Sequence, residues 1–362
     1  MPQHSDPIAW DTAERVATRV AGREPLAESY HYASLGPDFD EFTAEAEALV
    51  EAETGLRSAA GPARARVTDR PGWIRANLAS FQRLLRPLTE RLGSHLKGPV
   101  APVGRTLAGA EVGVLLGWMS TRVLGQYDML VVENEKPEDQ DIVYYVGPNI
   151  LALEKRYAFP PREFRLWLAL HEVTHRMQFT GVPWLRPYFL SLVESTLDSF
   201  DPDPKKLLAA LRRVADQVRA GEKPLQEGGL VTLLASPEQQ LVLQRISGLM
   251  SVLEGHGDLI MGRAAAERIP SAARFHSVLH QRRQSTGAVK LLQKLVGIEA
   301  KLRQYEEGEA FLAAVERAER AGTGVGIDLL WRGPEWLPDL AEIRNPDAWL
   351  ARVVATEAQA AS

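Results

Sequence analysis

The chain has no cysteine among its 362 residues. This absence excludes disulfides, thiol nucleophiles and thiolate metal sites. Any transition-metal site must therefore use histidine and carboxylate ligands, and the chain offers eight histidines for that purpose. The chain also has no excess of positive charge and no long apolar run.

The formal net charge is −5, so no strongly basic face is implied. Nucleic acid is therefore not expected as the main partner. The sequence has no run of about eighteen apolar residues, and we expect no membrane-spanning helix. The first residues, MPQHSDPIAWDTAERV, have no apolar core of signal-peptide length. We expect a cytoplasmic protein, and the oligomeric state cannot be read from the sequence.

The hydrophobic pattern along the chain is mostly helical. It predicts a helix over Phe39–Thr54 that ends at Gly55, and a buried helix in LAGAEVGVLLGWMSTRVLGQYD whose glycines permit close packing. The segments DMLVV and DIVYYV flank the polar stretch ENEKPEDQ, which predicts a β-hairpin over Asp128–Val146. These patterns indicate a mainly α chain with one small β element.

The stretch HLKGPVAPVGR, over His95–Arg105, has the glycines and prolines of a connection. It suggests a helical N-terminal part over residues 1–100 and a second part over residues 101–362. The alternative is a surface loop within one domain, with the N-terminal part packed on the remainder as one unit.

The stretch LALHEVTHRMQF places His171, Glu172 and His175 in an H-E-x-x-H pattern. Histidines four residues apart lie on one face of a helix, so both imidazoles can bind one Zn²⁺. Glu172 can then reach a water on the metal and act as general base. Apolar neighbours on nearly every side indicate a buried helix, where polar side chains without partners are costly. We interpret the motif as a zinc site; the alternative is a coincidence of composition.

A catalytic zinc keeps three protein ligands and one open position. The extended pattern with a third histidine is absent, because Gln178 and Gly181 occupy the positions that it assigns to glycine and histidine. The third ligand must come from elsewhere in the chain. Two glutamates, each followed four residues later by an aspartate, are candidates: Glu194 with Asp198, and Glu254 with Asp258.

The sequence around Glu254 favours it as the third ligand. Its helix is apolar over a long stretch, and Gly255 and Gly257 each cost about 1 kcal/mol in a helix interior. Such glycines are expected where another backbone or a site comes close. Asp258, one turn further on, can accept the second N–H of a ligating histidine and fix its tautomer. Glu194 stays open as the alternative ligand.

Three further residues are candidates for contact with the substrate. His256 can bind substrate or stabilise an oxyanion, or it can be a core histidine bonded to a neighbour. Arg303 and Tyr305, in LRQYEEG, can offer positive charge or a hydroxyl to a developing oxyanion. The alternative for that pair is an exposed helix with salt-bridged charges.

Six segments together resemble an actinobacterial family assigned as zinc-dependent metallopeptidases: LGQYD, YYVGPNI, FRLWLALHEVTHRMQF, VPWLR, LEGHGDLIM and KLRQYEEGEAF. Its members are often labelled as hydrolases associated with deazaflavin-cofactor biosynthesis, or as a domain of unknown function. The resemblance covers most of the chain. It implies a zincin-like fold, mainly α with a small hairpin or sheet beside the active-site helix, and a catalytic domain over residues 101–362.

By the same resemblance, His171, His175 and Glu254 match the family's metal ligands and Glu172 its catalytic glutamate. The E-x-x-x-D pattern after H-E-x-x-H is also similar to the gluzincins, the thermolysin-like peptidases. In that group the glutamate is the third ligand, and the aspartate supports the ligands from outside. This similarity implies the pair Glu254 and Asp258, although Glu194 and Asp198 fit the usual sequence gap better.

The sequence therefore predicts a zinc-dependent metallohydrolase, most readily a peptidase. Its substrate would be a peptide or another amide, and Glu172 would be the general base. Two other functions remain open. One is a non-enzymatic metal-binding scaffold, and the other is hydrolysis of a non-peptide amide by the same residues.

Overall fold

The structure is a computed structural model that describes residues 6–24, 26, 28–86, 89, 101–129, 140–198, 237–265, 268–283 and 298–360. It divides into two compact units, one of Met1–Thr180 with Ala264–Ala272 and one of Gly181–Arg263 with Ala273–Ser362. Helices dominate both units, and the first also holds a three-stranded sheet. The predicted mainly α class with a small sheet is confirmed. Among the described helices, none is long and apolar enough to cross a membrane.

The first unit alternates helices with short strands. In chain order its elements are α1 (Trp10–Ala21), α2 (Tyr30–Thr54), β1 (Arg64–Thr68), α3 (Arg70–Leu84), α4 (Ala101–Ser120), β2 (Gly125–Tyr127), β3 (Ile142–Val146), α5 (Gly147–Tyr157) and α6 (Pro161–Gly181). The predicted connection at His95–Arg105 is described only from Ala101, where α4 begins. The predicted division near residue 100 stays a prediction.

The sheet has the order β1-β3-β2, so β3 lies in the centre. It pairs in parallel with β1 and antiparallel with β2, with Gly125 opposite Tyr145. The second strand of the predicted hairpin is confirmed as β3. Its partner begins earlier than expected, at Gly125, and Asp128 and Met129 are not in a strand. The remainder of DMLVV lies outside the described residues, and β1 was not predicted.

Helices pack on both faces of the sheet. On one face, Tyr145 stacks on Phe39 of α2 with ring centroids 3.8 Å apart. Tyr127 meets Phe179 of α6 on that same face, at 6.4 Å between centroids. On the other face, Gln126 Nε2 donates to Asn77 Oδ1 of α3 at 3.1 Å. The helix that carries the H-E-x-x-H motif therefore lies directly on the sheet.

Two buried arginines hold α6 in place. Arg176 is fully buried, and its Nη2 donates to Asp141 Oδ2 at 2.6 Å and to the Gly61 carbonyl at 2.7 Å. Its Nη1 donates to Glu47 Oε1 at 2.7 Å, on α2. About three turns towards the N-terminus, Arg165 donates through Nε and Nη2 to both oxygens of Glu154, on α5. A buried cation needs such partners because desolvation costs several kcal/mol.

The glycines of α4 permit close packing, as predicted. A Cβ at Gly113 would lie 2.6 Å from the Ala13 carbonyl oxygen, and one at Gly117 would lie 2.5 Å from that of Ala17. Both contacts are with α1, whose alanines face them. The predicted burial of the whole helix is not met, because Val103 and Leu107 are exposed.

The second unit consists of helices in its described part. Its elements are α7 (Leu185–Asp198), most of α8 (Pro237–Ala265) and of α9 (Ala272–Arg283), α10 (Ile298–Arg320), two 3-10 helices (Ile327–Trp331 and Pro334–Trp336), α11 (Leu340–Arg344) and α12 (Pro346–Ala360). An apolar core joins α8 and α10 to the C-terminal helices, with Trp349 and Phe311 fully buried at its centre. Their rings meet edge-on, with centroids 5.2 Å apart.

Candidate metal centre

The H-E-x-x-H motif lies in the middle of α6, a helix that is buried along nearly its whole length. The rings of His171 and His175 meet edge-on, with centroids 4.7 Å apart and an interplanar angle of 86°. Trp167, one turn earlier, lies nearly parallel to His171 at 6.4 Å between centroids. Both histidines are half-buried, whereas Glu172 and Val173 are buried. The helix therefore presents the two imidazoles together on one side.

His175 has a defined partner on its own helix. Its Nδ1 lies 3.0 Å from Oε1 of Gln178, one turn further along α6. Gln178 is itself fully buried. Which of the two atoms donates in this contact depends on which ring nitrogen of His175 carries the proton.

Glu172 lies over the edge strand β2. A Cβ at Gly125 would be 2.6 Å from both Cγ and Oε1 of Glu172, closer than side-chain atoms approach in proteins. Tyr145, opposite Gly125 on β3, is fully buried. Burial raises the pKa of its phenol, and the Glu172 carboxylate raises it further, so the tyrosine stays neutral beside that carboxylate. Glycine at position 125 leaves the space that the carboxylate occupies.

Glu254 lies in the middle of α8, where it is 3% exposed. The helix is crossed there by α10 at a contact between two glycines. A Cβ at Gly255 would lie 2.5 Å from the carbonyl carbon of Gly308, and one at Gly308 would overlap the Ser251 carbonyl oxygen. The expectation that another backbone comes close at Gly255 is thus met.

His171, His175 and Glu254 together form a possible His-His-Glu metal site. One ligand atom from each of the three lies within 4.8 Å of the others. Donors that share one zinc at about 2.0–2.2 Å can be no more than about 4.4 Å apart, so the group is close to the spacing that an ion requires. Two imidazoles and a carboxylate also suit zinc in a chain without cysteine. Within the described part of the chain, no other histidines and acidic residues form such a group.

The other predicted site residues are placed as follows. Glu194 is exposed on α7, and it does not belong to the group of three ligands. Asp258 is half-buried on α8, and its role as a support for a histidine stays a prediction. The side chains of Asp198, Arg303 and Tyr305 lie outside the described part, so their predicted roles stay predictions as well.

His256 occupies the position of a core histidine. It is 2% exposed, and its ring meets Trp331 edge-on with centroids 5.0 Å apart. The Trp331 carbonyl in turn accepts from Nε1 of Trp184 at 2.8 Å. This packing favours the core role that the sequence left open, and a role in substrate binding stays a prediction.

Comparison with known protein families shows which family the chain belongs to. A model described as "Zincin-like metallopeptidase" matches residues 8–350. The chain belongs to the zincin-like metallopeptidase family. The match spans the motif helix and Glu254 alike, and it agrees with the zincin-like fold that the sequence resemblance implies.

One solved structure is similar over nearly the whole of this zincin-like chain. It is described as a "putative hydrolase with a novel fold" from Chloroflexus aurantiacus, with 30% identity and a TM-score of 0.69. The similarity covers 96% of this chain and 98% of that one. No curated protein matches the sequence. The predicted actinobacterial and deazaflavin labels stay predictions.

Two site residues were not identified from the sequence. Gln178 was noted only because it departs from the three-histidine pattern, although a polar residue one turn after His175 in an apolar helix is a usable signal. Gly125 stands in a strand, where a glycine often marks the close approach of another group. Its neighbour, however, is distant in sequence, so nothing in the sequence indicates which group approaches.

A side chain at the glycine contact between α8 and α10 should shift α8 and with it Glu254. We expect Gly308→Ala to separate the two helices, to destabilise the protein by about 1–3 kcal/mol and to weaken zinc binding. Gly262→Ala is the matched control on α8, because a Cβ there meets no described atom within 4 Å. Urea unfolding and zinc competition with a chromophoric chelator measure both effects. Equal zinc affinity in the two variants would contradict the placement of Glu254 in the site.

Proposed function

We propose that this zincin-like protein is a zinc-dependent hydrolase that cleaves peptide bonds. The grouping of His171, His175 and Glu254 within 4.8 Å is the observation that carries the proposal. These three side chains would hold the metal, with Glu254 rather than Glu194 as the third ligand. The family membership supports the same activity, and so does the hydrolase description of the Chloroflexus aurantiacus protein.

Zinc, when bound, would acidify a water and polarise the carbonyl group of the substrate. Glu172 follows His171 directly in α6, and it is 7% exposed. Its carboxylate would accept a proton from the attacking water and pass that proton to the leaving nitrogen. This transfer requires a carboxylate that stays ionised and stays in place. Gly125 leaves the space that this carboxylate occupies, since a Cβ there would lie 2.6 Å from Glu172 Oε1.

The edge strand β2 supports a peptide as the substrate. Leu124 and Asp128 direct backbone groups to β3, since Val146 N donates to the Leu124 carbonyl and Asp128 N to the Ile142 carbonyl. In an antiparallel pair, successive residues direct their backbone N–H and C=O groups alternately towards the partner strand and away from it. Gly125 therefore turns its N–H and C=O groups towards the outer edge of β2, which is an end strand of the described sheet.

An extended peptide can add to such an edge through main-chain hydrogen bonds. The edge residue Gly125 lies beside Glu172, so a peptide in that position would pass the proposed general base. A substrate without a regular backbone would gain nothing from this strand. We therefore favour peptides over other amides.

The role of Glu172 gives a direct test. Glu172→Gln keeps the shape of the side chain but removes the base, so we expect unchanged zinc content and a loss of hydrolysis of about 10²–10⁴-fold. The measurement is cleavage of a proteome-derived peptide library, followed by mass spectrometry. Glu111→Gln, an exposed glutamate on α4, is the matched control and should cleave like the wild type.

Two outcomes of this assay would reject the proposal. Cleavage at the wild-type rate by Glu172→Gln would remove Glu172 from the mechanism. A zinc-loaded wild type that leaves the whole library intact would exclude general peptide hydrolysis. It would instead favour a non-peptide amide substrate or the metal-binding scaffold.

The close contact at Gly125 gives a second test. We expect Gly125→Ala to fold and to bind zinc, because the group in its way is the mobile end of a glutamate. The displaced carboxylate should lower hydrolysis by about 10²-fold, since a shift of about 1 Å in a reacting group has that effect. Gly36→Ala on α2, where a Cβ meets no described atom within 4 Å, is the control. Full activity in Gly125→Ala would show that this space is not needed.

A further inference from the structure

We propose that Gln178 is the positioning residue that fixes the tautomer of His175 for metal binding. The inference rests on the proposed function, because it concerns the same site. Its basis is the contact between His175 Nδ1 and Gln178 Oε1 at 3.0 Å. Residues three apart on a helix are neighbours, so this contact is built into α6. It does not depend on where any other element lies.

A neutral imidazole has one N–H and one bare nitrogen, and the bare nitrogen is the metal ligand. The Gln178 oxygen can only accept, so it places the proton on Nδ1 and leaves the lone pair on Nε2. With the amide turned around, its NH₂ group would donate to Nδ1, and the proton would move to Nε2. That tautomer cannot bind a metal through Nε2. The arrangement with Oε1 towards Nδ1 is the one that would prepare His175 as a ligand.

Burial makes this selection effective. Gln178 is fully buried, and water cannot replace its oxygen as freely as on an exposed helix. An imidazole free in water prefers the opposite tautomer, with the proton on Nε2. Without Gln178, Nδ1 of His175 would lose this acceptor, and the tautomer that leaves Nε2 for zinc would be less favoured. Residues that orient metal-bound histidines typically contribute about 10–100-fold to metal affinity.

The partner is a neutral amide, where many metal-bound histidines have a carboxylate. A carboxylate attracts the Nδ1 proton more strongly and makes the imidazole a better electron donor. Glutamine would therefore set the tautomer, and a zinc ion bound to His175 would be more electron-poor than one whose histidine has a carboxylate partner. We expect Gln178→Glu to keep the Nδ1–H tautomer, because its oxygens also accept.

The test compares Gln178→Met, Gln178→Glu and Thr180→Val with the wild type. Methionine matches glutamine in length and helix propensity but accepts no comparable hydrogen bond. Thr180 is buried on the same helix, and its hydroxyl donates to the Arg176 carbonyl at 2.8 Å, so Thr180→Val removes a buried hydrogen bond away from the histidines. Thermal melts of the metal-free proteins show whether each variant is folded.

The first measurement is the ¹⁵N spectrum of labelled histidine in the metal-free proteins, at a pH of about 8.5, where an unperturbed imidazole is neutral. His175→Ala assigns the His175 signals, and His171 is the internal control. We expect the Nδ1–H form of His175 in the wild type, Gln178→Glu and Thr180→Val. In Gln178→Met the Nε2–H form should dominate, with the His171 signals unchanged. The Nδ1–H form persisting in a folded Gln178→Met would overturn the proposal.

The second measurement is zinc affinity by competition with a chromophoric chelator. Gln178→Met should bind zinc about 10–100-fold more weakly than the wild type, and Thr180→Val should bind it equally well. Equal affinity in Gln178→Met would contradict the proposal. A wild type with the Nδ1–H tautomer and tight zinc binding but no hydrolysis would reject the proposed function and leave this inference standing. Because the first measurement needs no zinc, it decides the tautomer even for a protein that holds no metal.

Discussion

The buried guanidinium of Arg176 is the constraint on which the first unit depends. A fully buried cation is tolerated when carboxylates and carbonyls surround it, and Asp141, Glu47 and Gly61 do so here. These partners come from the residue before β3, from α2 and from the loop before β1. Removing one of them would leave the buried charge only partly compensated. The arginine therefore joins the motif helix to the sheet and to α2 at a single point.

This cluster of charged groups lies next to the proposed metal ligands. Arg176 follows His175 directly, so the backbone of the second proposed ligand is held by the same interaction. Asp141 also accepts from the hydroxyl of Tyr127, at 3.0 Å, which ties β2 into the cluster. Asp141 has a φ of 55°, a left-handed conformation that aspartate tolerates better than most residues. Gly125, two residues from Tyr127, is thus held beside Glu172 by the network that fixes the helix.

Close approach is the second theme of the structure. Gly125 meets Glu172, Gly255 meets Gly308, and the glycines of α4 meet α1. In the first two cases a proposed site residue lies at the contact or beside it. Side chains at these positions would move either the general base or the helix of Glu254. The geometry of the site thus depends on these glycines as well as on the four polar residues His171, Glu172, His175 and Glu254.

The sequence predicted those features that arise from local pattern. The H-E-x-x-H spacing predicted a pair of imidazoles on one face of α6, and the apolar run around Glu254 predicted a buried carboxylate. β1 could not be predicted, since RARVT is short and its charged side chains hide any alternation. Helix α2 begins at Tyr30 although the pattern predicted Phe39, because Pro37 lies inside the helix. Pro37 is the eighth residue of this helix, and because a proline in a helix interior usually kinks or ends the helix, it indicates a boundary from sequence.

The features that the sequence missed depend on distant partners. Nothing near Gly125 indicates Glu172, which lies on another element, and nothing near Gly308 indicates Ser251. Gln178 was within reach of a local argument, because it stands one turn from His175. The three-histidine pattern, however, assigns glycine to that position and so gives its side chain no role. Contacts between elements set the remaining geometry, and these emerge only from the fold.

The central claim is that one zinc is held by His171, His175 and Glu254. The most direct measurement is the metal content of the purified protein by mass spectrometry, for the wild type beside Glu254→Ala and Glu194→Ala. The account predicts one zinc per chain in the wild type and in Glu194→Ala, and its loss in Glu254→Ala. Loss in Glu194→Ala alone, or a wild type that binds no zinc even when zinc is supplied, would contradict it.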